Sequence, residues 1–185
     1  MSVKSFAGRL WARYRIPQLL RKAADFPAEQ TRLRQHLLTR AKDTAFGREH
    51  GFDKIRSQQD FRSALPVRSY EDFKPYIDRA SEGEAGVLWP GHPLYFATTS
   101  GTTAGAKYIP ISRDSMPHHI TAARDALMAY IHATGKGGFL DGKMIFLAGS
   151  PELDATEGGI PIGRLSGIVN HFVPSYLQRN RMPSY

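Results

Sequence analysis

Thr98-Thr99-Ser100-Gly101-Thr102-Thr103-Ala104-Gly105-Ala106-Lys107 decides how this chain is read. Hydroxyl side chains crowd around two glycines, and a lysine closes the run. Glycine reaches backbone angles closed to other residues and lets the main chain approach a ligand. Successive amides can then converge on an anion. Ser100, Thr102 and Thr103 add donors without bulk, and Lys107 adds a point charge. The parts suit a phosphate. The spacing is not the Walker pattern, in which Gly-x-x-x-x-Gly-Lys-Ser/Thr leads into a helix; here Lys107 lies two residues past Gly105.

The flanks place the loop between strands. Leu94-Tyr95-Phe96-Ala97-Thr98 is rich in aromatics and reads as one strand; Lys107-Tyr108-Ile109-Pro110-Ile111 reads as a second. Pro110 argues against a central, fully paired position. Beyond them, 117–133 predicts a helix with Ile120, Ala123, Leu127 and Ile131 on one side. Lys143-Met144-Ile145-Phe146-Leu147-Ala148 reads as a buried strand, and the Gly- and Pro-rich tail from Gly149 carries no clear element.

Upstream the pattern is helical. Phe6, Leu10, Trp11 and Tyr14 recur at helical spacing, and Pro17 is expected to bend or end that helix or to open a second one. Pro27 suits the first turn of the next, with Leu33, Leu37, Leu38 and Ala41 on one face. Gly47 and Gly51 read as a loop over 46–52. Ser57 caps a short helix, and Ser69 with Asp72 forms a capping box for another from Tyr70 to about Arg79. The expected class is α/β: a helical N-terminal lead-in over 1–92, then the first strands of a mixed sheet over 93–185.

The chain is 41% hydrophobic and 23% charged, a globular composition, and it has no cysteine, which excludes disulfides and thiolate chemistry. A reducing, cytoplasmic setting fits. Residues 1–62 hold 14 Lys/Arg against 6 Asp/Glu, whereas 63–185 hold 11 of each, so the whole +8 excess lies in the N-terminal third. Lys4, Arg9, Arg13, Arg15, Arg21 and Lys22 precede the first acid, Asp25. Such a segment suits a solvated helix face, a transit peptide, a membrane-surface helix or a nucleic-acid arm; the solvated face is the plainer reading. Arg9, Arg13 and Arg15 interrupt any secretory core, and no apolar run reaches membrane-spanning length.

Other candidates are weaker. His118 and His119 are adjacent, so on a helix they face different directions and do not make a metal site. Arg48 and Glu49 read as a structural pair bracing the 47–51 loop.

The glycine- and hydroxyl-rich loop resembles the first nucleotide-binding motif of the adenylate-forming superfamily. Other stretches narrow the resemblance: Asp43 to Phe52, Phe61 to Val67, Ser69 to Phe73, Gly83-Glu84, Leu88 to Gly91, and Thr99 to Pro110. In that order they resemble the auxin-responsive Gretchen Hagen acyl-acid amido synthetases, in their bacterial branch, from about residue 35 to 115 and faintly to Pro174. The resemblance implies a large α/β domain and a ligase that uses ATP and Mg2+. Such an enzyme activates a carboxylic acid as an acyl adenylate and passes it to an amine or amino acid. It implies that Thr99, Ser100, Gly101, Thr102, Thr103, Gly105 and Lys107 hold nucleotide phosphates. It also implies that the helix after the loop helps to line the acid's pocket, through residues such as Met116, His119 and Ala123. No metal ligand, catalytic residue, nucleic-acid partner or stable membrane insertion is assigned.

The chain departs from that family in lacking the later nucleotide motifs and the C-terminal domain. It is therefore expected to be an N-terminal piece of the large domain, inactive by itself. The alternatives are an acyl-CoA-type adenylating ligase, or a non-catalytic binding protein with a basic N-terminal helix.

Overall fold

Ser2 opens the chain's first helix by accepting the amide of Ser5 at 3.2 Å. This is helix α1 (Val3–Ala24) in a computed structural model that describes residues 2–99, 107–145, 147–150, 152–172 and 180–182. α1 continues through Pro17, which neither ends it nor opens another. The ring forfeits one helical hydrogen bond, a cost of about 3 kcal/mol. Packing of Ala12 and Ile16 against Met128 and Ile131 offsets it. The buried face is a further correction. Ser5, Ala12 and Ile16 point inward, while Phe6, Leu10 and Tyr14 are about 60% exposed. Small residues allow close helix approach, and this interface selected them over the larger apolar stripe.

Helix α2 (Phe26–Ala41) starts with Pro27 in its first turn and buries Leu38 and Ala41; Leu33 and Leu37 stay exposed. The expected loop over 46–52 is instead a short helix, α3 (Ala45–Glu49), followed by a 3-10 turn, Phe52–Lys54. Thr44 caps α3 by accepting the Gly47 amide at 3.0 Å. Helix α4 (Gln58–Ala64) carries the Ser57/Asp60 capping box, and α5 (Tyr70–Ser81) carries the Ser69/Asp72 box.

Strand β1 (Tyr95–Thr98) pairs antiparallel with β2 (Tyr108–Ile111), Phe96 opposite Pro110 and Thr98 opposite Tyr108. After helix α6 (Met116–Thr134) and a two-residue strand β3 (Met144–Ile145), the tail supplies β4 (Asp154–Ala155) and β5 (Pro161–Arg164). β5 lies parallel to β1 and gives a mixed sheet of order β2-β1-β5-β4. A short α7 (Leu165–Ile168) follows. β6 (Arg181–Met182) pairs parallel with β3.

Both faces of the sheet are covered, as an α/β layer requires. Phe96 and Ile162 meet Tyr76, Ile77 and Ala80 of α5 on one face. Ala97 and Ile111 meet Met116 and Ile168 on the other. Each such large apolar side chain contributes about 1.5–3 kcal/mol when fully buried. The expected buried strand over 143–148 is corrected: Ile145 is 71% exposed and Leu147 96%. No helix among the described residues is long and apolar enough to cross a membrane.

Candidate phosphate-binding site

The loop's two ends are held by the β1–β2 ladder. Beyond the last strand pair, the Thr99 amide donates to the Lys107 carbonyl at 3.1 Å. Entry and exit of the loop are thereby fixed side by side. Ser100, Gly101, Thr102, Thr103 and Gly105, the core of the expected phosphate contacts, lie outside the described residues. Thr99 and Lys107 are placed, and they are adjacent.

β2 is an edge strand among the described residues, and its open side is blunted by two devices. In an antiparallel ladder alternate amides point away from the partner. Thr99 bonds Lys107, so the amide of Tyr108 points outward, and so would that of position 110. Position 110 is proline and has no donor. The Tyr108 amide donates to the Tyr70 hydroxyl at 2.9 Å. Tyr70 is the first residue of α5. Its ring also lies beneath the Lys107 ammonium, with Nζ 5.0 Å from the ring centroid. The sequence marked Tyr70 only as a helix start; the available signal was an aromatic directly after a capping serine.

The other signature stretches assemble behind Tyr70. The amides of Ala45 and Phe46 donate to the carbonyls of Gly86 and Val87, joining the Asp43–Phe52 stretch to the segment after α5. His50 stacks on Phe46 at 4.1 Å. Its Nδ1 is 2.9 Å from the Phe46 carbonyl, and Arg68 donates to its Nε2 at 2.6 Å. These partners define the tautomer: the proton sits on Nδ1. Burial pushes the Tyr76 phenol above its ordinary value, its bond to Glu49 adds to the rise, and Arg68 opposes it. Arg48 and Glu49 do not form the expected pair: Arg48 donates to the Asp43 carbonyl, and Glu49 faces Tyr76. Trp89 donates to Asp114 at 3.2 Å, and Arg40 reaches the same carboxylate at 2.7 Å. That tie connects α2, the Leu88–Gly91 stretch and the entrance of α6.

A cleft of about 650 Å³ opens where Thr98, Tyr108 and Arg164 line up across β1, β2 and β5. Asp78, Glu82, Glu152, Asp154 and Glu157 line the same cleft. Those carboxylates disfavour a polyanion there; Arg164, opposite Thr98, is the cation among the cleft's lining residues, and Lys107 at the loop exit does not line it. Arg164 was missed because Pro-Ile-Gly-Arg has almost no strand signal of its own. Of the residues expected on the helix after the loop, Met116 is 3% exposed and belongs to the core with Ala97 and Ile111. It is not on an open pocket wall. His119 is half-buried and Ala123 exposed; neither lines this cleft. Among the described residues no cluster of three or more His, Asp or Glu side chains could hold a metal ion. The described residues therefore provide no magnesium cage.

Solved structures share this architecture. An acyl acid amido synthetase, AtGH3.15, in complex with 2,4-DB, superposes with a TM-score of 0.64 over 75% of this chain and 24% of its own, at 24% identity. The chain is 28% identical over 137 residues to the indole-3-acetic acid-amido synthetase GH3.2 of Arabidopsis thaliana. It is 35% identical over 91 residues to GH3.8 of Oryza sativa subsp. indica, also an indole-3-acetic acid-amido synthetase. These alignments cover 71% and 48% of this chain, and 24% and 15% of the relatives. The chain thus spans about a quarter of the length of the Arabidopsis protein. The ladder, the α5 brace and the signature cluster all fall within residues 15–182, which match the GH3 family N-terminal domain, and the chain belongs to that family.

Proposed function

We propose that this chain is the N-terminal part of an ATP-dependent ligase that activates a carboxylic acid as its acyl adenylate and joins it to an amine or amino acid. The observation that carries the reading is the closed ladder at Thr99 and Lys107, which sets an ammonium at the exit of a glycine- and hydroxyl-rich loop. The names of the relatives, amido synthetases, support the amide-forming outcome over an acyl-CoA product.

The chemistry poses a charge problem. A carboxylate oxygen attacks the α-phosphorus, and the bond to pyrophosphate breaks. A neutral amine then attacks the acyl carbon, AMP leaves, and the nitrogen loses its proton. Two anions must approach each other, so the site must neutralise phosphate oxygens and fix the line of attack. The loop's amides and hydroxyls would hold the β- and γ-phosphates, and Lys107 would neutralise the departing pyrophosphate. Magnesium, carried on the nucleotide, supplies charge stabilisation in such reactions. A cytoplasmic location fits the cysteine-free sequence. Alone, the 185 residues would bind nucleotide weakly and not turn over.

Equilibrium dialysis against labelled MgATP tests the reading. Binding in the millimolar range, weakened roughly tenfold by Lys107→Gln, is expected, a loss typical of one charge-assisted contact. No retention of ATP, AMP or pyrophosphate would sink it. Acid-dependent ATP–pyrophosphate exchange by this chain would overturn the inactivity of the piece.

A further inference from the structure

We propose that Tyr70 is the positioning residue for Lys107. Its ring is the seat on which the ammonium rests, and its hydroxyl fixes the strand that carries it. The proposal rests on the phosphate-binding reading for its purpose, but not for its geometry.

Three observations converge on this side chain. The Lys107 Nζ lies 5.0 Å from the ring centroid, within the range of an attractive cation–π contact. The hydroxyl at the other end of the same ring accepts the Tyr108 amide at 2.9 Å, one residue beyond Lys107. The backbone of Lys107 is tied in turn to Thr99. One side chain therefore sets both the main chain and the ammonium at the loop exit.

Tyr70 is itself held. It is half-buried against the cluster of Phe46, Tyr76 and Phe96. The residue before it is the capping serine, whose amide donates to Asp72 at 2.6 Å and whose hydroxyl donates to it at 2.8 Å. The brace thus runs from the α5 N-terminus through the ring to the loop. A lysine otherwise loses much rotamer freedom on binding an anion. Resting it on a ring removes part of that loss beforehand, and among the described residues no carboxylate pairs with the ammonium, which is left to a phosphate.

The experiment reads Lys107 directly in the full 185-residue chain. Lysine side chains are labelled with 13C at Cε, and the Lys107 signal is assigned by its loss in Lys107→Gln. A proton over an aromatic face is shifted upfield. The wild type should show that shift, Tyr70→Phe should keep it because the ring remains, and Tyr70→Leu should lose it. Backbone spectra of both variants establish that the fold persists. MgATP is then titrated, and the affinity of Tyr70→Leu should fall roughly two- to fivefold below that of Tyr70→Phe, the size of an exposed cation–π contact. An unshifted Lys107 in the wild type, or a shift retained in Tyr70→Leu, overturns the seat. Equal affinities of the two variants overturn its role in binding. A ring shift that behaves as expected, in a chain that no nucleotide perturbs, upholds the seat and rejects the nucleotide reading instead.

Discussion

Gly47 sits against the Ala41 carbonyl so closely that a Cβ built there would lie 2.0 Å from the oxygen. This contact lets the end of α2 and the whole of α3 share one turn of space, with Thr44 bridging both. Its hydroxyl donates to Ala41 O at 2.7 Å and accepts the Gly47 amide. The obstacle is backbone and cannot rotate away. Gly47→Ala should therefore destabilise the protein by about 2–4 kcal/mol, the upper range for a single overpacked site. Gly91, at φ 79° with nothing within 4 Å of a built Cβ, provides the contrast. Its alanine variant meets only the left-handed backbone penalty, about 1–2 kcal/mol. Urea unfolding of both variants checks the order, and equal losses would refute the packing argument.

The α1–α6 contact gives a second prediction. Arg15 donates twice to Asp125, from Nε at 3.1 Å and from a terminal nitrogen at 2.6 Å. That bond holds the guanidinium above its ordinary pKa. The side chains are 24% and 12% exposed, so water screens the pair only in part. Asp125→Ala should cost about 1–3 kcal/mol, in the range for a hydrogen bond to a charged group. A double-mutant cycle with Arg15→Ala should recover a coupling of at least about 0.5 kcal/mol; none would mean that the pair is merely adjacent.

The same helix separates burial from hydrophobicity. Ala12 is fully buried against α6, whereas Phe6 is 59% exposed. Ala12→Leu should cost about 1–3 kcal/mol by overpacking, and Phe6→Ser less than about 0.5 kcal/mol. Thermal melts of the two variants decide it. A larger loss for Phe6→Ser would restore the face that sequence periodicity alone selects.

That reversal shows where the sequence was legible. Local chemistry was: the hydroxyl of Ser57 marked α4, Ser69 with Asp72 three residues on marked α5, and the aromatics of 94–98 marked β1; the Asp60 half of the Ser57 box emerged only in the fold. The flanking apolar runs put the candidate loop between β1 and β2. Tertiary choices were not legible. Nothing in Phe6, Leu10 and Tyr14 says that a neighbouring helix will dock on Ser5 and Ala12 instead. β5 is a strand because β1 offers it an edge, not because Pro-Ile-Gly-Arg favours extension. Ile145 and Leu147 mislead for the opposite reason, since apolar character reports a need for cover and not whether cover is present. Tyr70 stayed hidden because its partner lies across the fold, at a separation no local pattern spans.

Acid should unpick the two capping boxes. Asp60 accepts the amides of Arg56 at 2.9 Å and Ser57 at 2.8 Å, and these bonds hold its carboxyl below the usual range. Asp72 is held low in the same way, first by the Ser69 amide and then by the Ser69 hydroxyl. Each carboxylate is more acidic folded than unfolded. Its stabilisation is complete above the unfolded value of about 3.9 and fades as pH falls through the lower folded value. The double variant Asp60→Asn/Asp72→Asn should therefore melt below wild type at pH 7, with the gap closing as the pH drops below about 4. Circular dichroism melts at pH 7, 4 and 2.5 measure that gap. If it stays constant across the range, the caps act through shape alone, and the charge on these two aspartates does not matter to the helices they open.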